Sequence, residues 1–236
     1  MPESRIQPRS PLAQVGKDNL SARVYGQLRT ALMDGQFEPG ERLTIAALAG
    51  AFGTSTTPVR EAIFRLVSEH ALEMRAATAV HVPQLEPARL REVQLIRVEL
   101  EGAAAGHAAA VITPKQLDGL VAVHEAFLTA AATDPAQASL RNRDFHFALL
   151  RIAGLPLVES IVENAWVLMG PFLRLFHVHI PRRQMTSGEH RHHDVLGALR
   201  RRDAAGARVA IQEDIRWGNV LIDALESRAE PPRATG

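Results

Sequence analysis

The chain has no cysteine among its 236 residues, a single tyrosine, and only 5% aromatic residues. The first absence excludes disulfides and thiolate metal sites and fits a reducing compartment. No stretch approaches the roughly 18 consecutive apolar residues that cross a bilayer. The N-terminal segment also lacks an apolar secretory core, so the expected location is the cytoplasm, without membrane contact. An excess of one charge is missing too: the formal net charge is +1, and residues 1–83 hold nine Lys or Arg against eight Asp or Glu. Bulk charge therefore cannot drive binding to a polyanion. Any such binding must come from a few well-placed cations, helped by two copies acting together. What the chain has in quantity is apolar residues, 46% of the total. Abundant Ala and Leu, in long stretches free of Gly and Pro, favour helix, and the length allows two modest cores.

Sequence punctuation is densest between residues 20 and 83. Val24, Leu28, Ala31 and Leu32 share one face of a helix expected over Leu20 to Asp34, which Gly35 can end in a left-handed cap. Glu38-Pro39-Gly40 forms a turn, and a short helix follows from Leu43 to Phe52. Ser55-Thr56-Thr57-Pro58 then starts a further helix near Thr56, because hydroxyls can accept from free N–H groups and a proline fits the first turn. Val59, Ile63, Leu66 and Val67 fall on one face of it, leaving Thr56, Thr57, Arg60 and Arg65 free to point elsewhere. Such a helix can enter a major groove, with Arg60, Thr56 and Thr57 reading base edges. Ser55 then serves as a cap or phosphate contact, and Arg65 as a phosphate contact.

Two prolines in Val82-Pro83-Gln84-Leu85-Glu86-Pro87 interrupt the periodicity and mark a hinge at 84–87. The expected division is a tail at 1–17, a reader at 18–83, an all-helical unit at 88–228 and a tail at 229–236. Helices are expected near 87–109, 114–132, 135–153, 156–179, 188–201 and 204–226. Pro171 should bend the fourth of these. Short connections imply antiparallel neighbours in a bundle. Within it, Asn142 and His146 lie four apart on one helix, His192 on the next to last, and Asp214 on the last. Imidazole, imidazole and carboxylate from three helices suit a divalent transition metal such as zinc, nickel or manganese, with positions left open for an oxygen ligand. His177, His179, His190 and His193 are read as surface residues.

The segment Leu43 to Phe52, the core Ser55-Thr56-Thr57-Pro58-Val59-Arg60-Glu61-Ala62 and the exit Leu66-Val67-Ser68-Glu69 resemble the winged helix-turn-helix of GntR-family bacterial regulators. By that resemblance, 71–75 and 79–83 form the wing strands, with the tip near Ala76 to Thr78. The sequence departs from the family at Thr56, where Arg is common, and at His70 and Ala76-Ala77, where Gly is common. The blocks Ile96 to Glu101, Asn142 to His146, and His192 to Leu199 with Arg202-Asp203, Ala207 and Asp214 resemble the FCD ligand-binding domain of the FadR branch. That resemblance implies a metal held at positions 142, 146, 192 and 214, with a small organic acid completing its shell. It further implies that Arg97 clamps the acid's carboxylate, while Glu101 either pairs with Arg97 or faces the ligand. The family often has Asp at 142 and usually His at 214. The fold class expected is mainly α, a winged helix-turn-helix followed by an FCD-like bundle. The function expected is a homodimeric regulator, a repressor by default, that binds double-stranded operator DNA and responds to a small carboxylic acid. Two alternatives stay open: a metal-dependent hydrolase or lyase using the His/His/Asp set, and a metal-free regulator whose bundle only dimerises.

Overall fold

A computed structural model of the chain describes residues 20–76, 79–84, 86–179 and 191–229. The expected tail at 1–17, the hairpin tip at Ala77 and Thr78, His190, and residues 230–236 of the C-terminal tail lie outside the described residues, as do the side chains of His177 and His179. Helix α1 (Leu20–Met33) buries Val24, Leu28 and Leu32 along one stripe. It stops at Gly35, whose φ of +64° lets Gln36 N donate back to Ala31 O at 2.9 Å. Strand β1 (Arg42–Leu43) leads into α2 (Ile45–Ala51), whose start is capped by Thr44 Oγ1 accepting from Ala47 N. Helix α3 (Thr56–Ser68) begins where the Ser-Thr-Thr-Pro pattern places it and buries Val59, Ala62, Ile63 and Leu66. Ser55 has the backbone of a cap, but its hydroxyl makes no capping bond. Strands β2 (Glu73–Ala76) and β3 (Ala79–His81) complete a three-stranded antiparallel sheet in the order β1-β3-β2. His70, at the turn after α3, takes φ +60°, a conformation that glycine adopts without strain.

The rest is helical: α4 (Pro87–Val111), α5 (Pro114–Thr133), α6 (Pro135–Ala153), α7 (Pro156–His179), α8 (His192–Arg200), α9 (Ala204–Trp217) and α10 (Asn219–Ala229). Four of these helices start on proline, which costs nothing where the N–H would have no partner. Thr113, Asp134 and Asp203 cap α5, α6 and α9 by accepting from backbone N–H groups of the first turn. Two expectations need correction. The helix read over 204–226 is two helices, broken at Gly218, and the helix read from 188 is helical among the described residues only from His192. Helix α4 occupies the middle of the bundle. Its Ala104, Ala105, Ala108 and Ala109 are buried, and Gly102 lies so close to α9 that a Cβ there would come within 2.8 Å of Gln212.

The two parts share a packed seam between α1 and α7. Val167 of α7 is buried in the core of the N-terminal part, and Met33 of α1 packs against both cores. Gly170 meets the backbone of α1 directly, since a Cβ on it would fall 2.2 Å from Leu32 O and 2.7 Å from Met33 Cα. Flanking this contact, Arg29 pairs with Glu163 at 3.0 Å and bonds Asn164, while Arg143 of α6 pairs with Asp34.

Candidate functional site

The exposed face of α3 carries Thr56, Thr57, Arg60, Glu61, Phe64, Arg65 and Ser68, with Ser55 exposed just ahead of it. The residues expected to read DNA are therefore brought together at one helix N-terminus, open to solvent. Arg65 is held more tightly than its sequence position reveals. Its guanidinium lies 3.7 Å from the centre of the Tyr25 ring and 3.5 Å from Glu69, whose carboxylate accepts from Tyr25 Oη at 2.8 Å. The side chain is still 57% exposed, so it can reach a phosphate while bracing α3 against α1. Phe64, half exposed beside Arg60, was not singled out from sequence. Its apolar type at a position off the buried stripe was the available signal.

Inside the bundle, the i, i+4 spacing on α6 and the short helices α8 and α9 converge. His146, His192 and Asp214 are buried, and each offers a donor atom within 4.8 Å of the others. His146 Nε2 lies 3.2 Å from Asp214 Oδ2, and His192 Nε2 lies 3.6 Å from the same oxygen. With metal–ligand bonds near 2.1 Å, neighbouring donors sit roughly 3.0–3.5 Å apart, so this group fits a small divalent ion. Asn142, half-buried one turn before His146, lines the same cavity. Each of the three side chains is also braced. The His192 ring stacks on Phe145 with centroids 3.8 Å apart and lies 5.1 Å from Phe127. Asp214 Oδ1 accepts from Arg191 N at 2.7 Å.

Behind His146 stands Glu101. Its Oε2 is 2.6 Å from His146 Nδ1, and its Oε1 accepts from Arg97 Nε at 2.7 Å and from Trp166 Nε1 at 3.1 Å. A carboxylate can only accept, so His146 Nδ1 donates to Glu101, while Nε2 donates to Asp214 when the ring is charged and is free to bind an ion once that proton leaves. Burial alone would push Glu101 up, but the charges of Arg97 and His146 outweigh it and hold the carboxyl down to about 2. Burial likewise works against the charged form of Asp214, yet His192, His146 and the Arg191 amide keep it well below the ordinary carboxylate range. For His146, burial favours the neutral ring, and the Glu101 and Asp214 carboxylates reverse that, raising it above its ordinary value. Glu101 thus turns to Arg97, His146 and Trp166. Arg97 lines the cavity with its guanidinium carbon 4.1 Å from the centre of the Trp166 ring. Trp166, Gln94 and Phe127 also build this site and were missed from sequence, because each reads there as an ordinary member of a buried stripe. His193, read as a surface residue, is exposed.

A solvent-open helix start on a winged helix-turn-helix, joined to a helical bundle with a buried donor set beside a cavity, is the build of a one-chain transcriptional regulator. Residues 20–82 match the family "Bacterial regulatory proteins, gntR family", and residues 92–216 match the FCD domain. The chain belongs to the GntR family of regulators, with an FCD domain as its second part. It is 34% identical to the HTH-type transcriptional regulator McbR of Escherichia coli K12 over 205 residues, covering 86% of this chain and 92% of McbR. It is 25% identical to the HTH-type transcriptional repressor RspR of the same organism, covering 91% and 90% of the two chains. The solved structure of E. coli McbR/YncC superposes with a TM-score of 0.81 at 32% identity, covering 91% of this chain and all of that one. A GntR regulator from Rhodococcus sp. RHA1 shares the fold, with a TM-score of 0.64 at 24% identity, covering 91% of this chain and 100% of that one. These relatives are named as transcriptional regulators, so the hydrolase or lyase reading falls and the chain is not an enzyme. Among the described residues no helix is long and apolar enough to cross a membrane.

Proposed function

We propose that the protein is a cytoplasmic, homodimeric repressor whose affinity for operator DNA is set by a small carboxylic acid bound beside a divalent transition metal. One observation carries this reading. The buried group His146, His192 and Asp214 borders a cavity that is also lined by α7, the same helix that packs against the N-terminal part. A reader at 18–83 and a sensor at 88–228, joined by a linker at 84–87, divide the work. Thr56, Thr57 and Arg60 read base edges, and Ser55 and Arg65 contact phosphates. His146, His192 and Asp214 hold zinc, nickel or manganese, and Asn142, as a neutral amide, is the weakest of the four ligands. The metal supplies an electrophilic position for a carboxylate oxygen. Arg97 gives the acid a cationic partner, whereas Glu101, itself anionic, positions His146 and Arg97 and does not meet the acid. That the relative RspR is a transcriptional repressor supports repression as the mode of action.

Regulation requires that the acid bind the DNA-competent and incompetent arrangements unequally. Met169, Phe172 and Leu173 of α7 line the cavity, and Val167 and Gly170 between and before them touch the reader. A shift of α7 on filling the cavity is therefore passed to α1, with the linker at 84–87 absorbing the change. The test is a gel shift with an operator selected from random duplexes, using protein purified without chelator or affinity tag. Stoichiometric metal by elemental analysis, lost in His146→Ala, and operator affinity that changes with acid only when metal is present are the expected results. Native protein that carries no metal and binds operator identically would leave the bundle as a dimerising element alone.

A further inference from the structure

The wall that α4 presents to the cavity is ordered by polarity. Leu90, Gln94, Arg97 and Glu101 follow one another at helical spacing, all buried, and the first three line the cavity while Glu101 backs the metal-binding histidine. Read along the helix axis, the wall runs from hydrocarbon to neutral amide to cation to the ligand group. Gln94 is the unusual step. Its Nε2 donates to Ile215 O, which fixes the orientation of the amide, and its Oε1 is buried without a hydrogen-bond partner among the described residues. A buried acceptor left unmet is costly, and a site that keeps one is built for a donor supplied by something else. Opposite Leu90, the cavity is closed by Leu221 and Ile222 of α10 and by Trp217. Apart from the single indole N–H of Trp217, that end offers only hydrocarbon, a poor place for a chain of hydroxyls.

We propose that the effector is an amphipathic hydroxy or amino acid of a particular pattern: a carboxylate at the metal and Arg97, an O–H or N–H donor meeting Gln94 Oε1, and an apolar end between Leu90, Leu221 and Ile222. This rests on the acid-and-metal reading of the cavity and names the acid's chemistry. Gln94 lies one helical turn, about 5 Å, from Arg97, which places the donor three to four atoms from the carboxyl carbon. The cavity is small, about 40 Å³ where a single water needs roughly 10–15 Å³, so the ligand displaces side chains or moves a helix as it enters. Polyhydroxylated sugar acids are disfavoured, because each additional hydroxyl carried to the Leu90 end would lose its water without a replacement partner.

Three six-carbon acids separate the possibilities: hexanoate, 4-hydroxyhexanoate and gluconate, titrated calorimetrically into the metal-loaded full-length protein. The expected order is 4-hydroxyhexanoate tightest, by about tenfold over hexanoate, with gluconate weakest. Gln94→Leu should bring 4-hydroxyhexanoate level with hexanoate, and Ile215 O keeps its bond from Gly218 N in that variant. Leu221→Asn, at the far end, should instead narrow the gap between hexanoate and gluconate. Gluconate binding tightest, or an unchanged hydroxy preference in Gln94→Leu, would overturn the inference while leaving the metal-and-acid site standing. If none of the three acids shows metal-dependent binding, both the inference and the reading beneath it fail.

Discussion

Replacing Gly170 with alanine tests the seam between reader and sensor most directly. The added Cβ would lie 2.2 Å from Leu32 O and 2.7 Å from both Met33 Cα and Met33 O. These neighbours are backbone atoms of α1 and cannot turn aside as a flexible side chain could, so α1 and α7 must part by about 1 Å or more to restore van der Waals contact. Forcing extra volume into a packed contact costs about 1–3 kcal/mol. Alanine in a helix interior recovers roughly 1 kcal/mol relative to glycine, so the net loss is about 0–2 kcal/mol. Gly119→Ala is the control. It sits in α5 with nothing within 4 Å of the added methyl, so the same gain appears there without the clash. The difference between the two variants, about 1–3 kcal/mol by denaturant titration, isolates the steric term. Because relief comes by opening the seam, Gly170→Ala should also keep operator binding while weakening its response to acid and metal. Faster amide exchange at the C-terminal turn of α1 should accompany that change. Equal stabilisation in both variants, with an intact regulatory response, would refute the idea that α7 drives α1.

Glu101→Gln should lower metal affinity by about 10–100-fold in a chelator competition, since it removes the charge that fixes the His146 tautomer. Metal binding should release a proton, visible as a calorimetric heat that depends on the buffer's ionisation enthalpy. His146 sits above its ordinary value in the metal-free protein, so the proton it holds competes with the ion, and affinity should fall as pH drops through that raised value. His70→Gly should raise stability by about 1 kcal/mol, because φ +60° strains any residue that has a Cβ. An unchanged melting temperature would show that the turn relaxes. Arg60→Ala should weaken specific operator binding by about 1–3 kcal/mol while leaving the thermal melt unaltered, and equal gel-shift affinity would remove Arg60 from the recognition set.

Much of this architecture is written locally in the chain. Pro58 in the first turn with Val59, Ile63 and Leu66 behind it, Gly35 after α1, and the prolines at 87, 114, 135 and 156 each act within a few residues, so pattern alone locates the helices. Gly218 escaped for a physical reason. Its φ of −59° is ordinary helix, and Ile215 and Ile222 keep helical spacing across it, so the Gly218-Asn219 pair, the one local sign of the break, is outweighed by the apolar rhythm. The convergence of His146, His192 and Asp214 was legible from spacing and block order. The braces behind them were not, because Glu101 and Trp166 are 45 and 65 residues of chain from the groups they meet, and only packing brings them there. The same holds for Tyr25 beneath Arg65 and for the α1–α7 seam, where Gly170 reads in sequence as a weak spot in a helix.

The placement of Val167 and Met33 bears on how such proteins can be recombined. A fragment cut at the linker would carry a reader with a vacancy where a neighbour's valine belongs, and a sensor with a bare ridge on its fourth helix. Grafting this bundle onto a foreign DNA-reading head would therefore require transplanting the matching surface of the first helix as well. The boundary at which the polypeptide looks most divisible is not the boundary at which its hydrophobic interior divides.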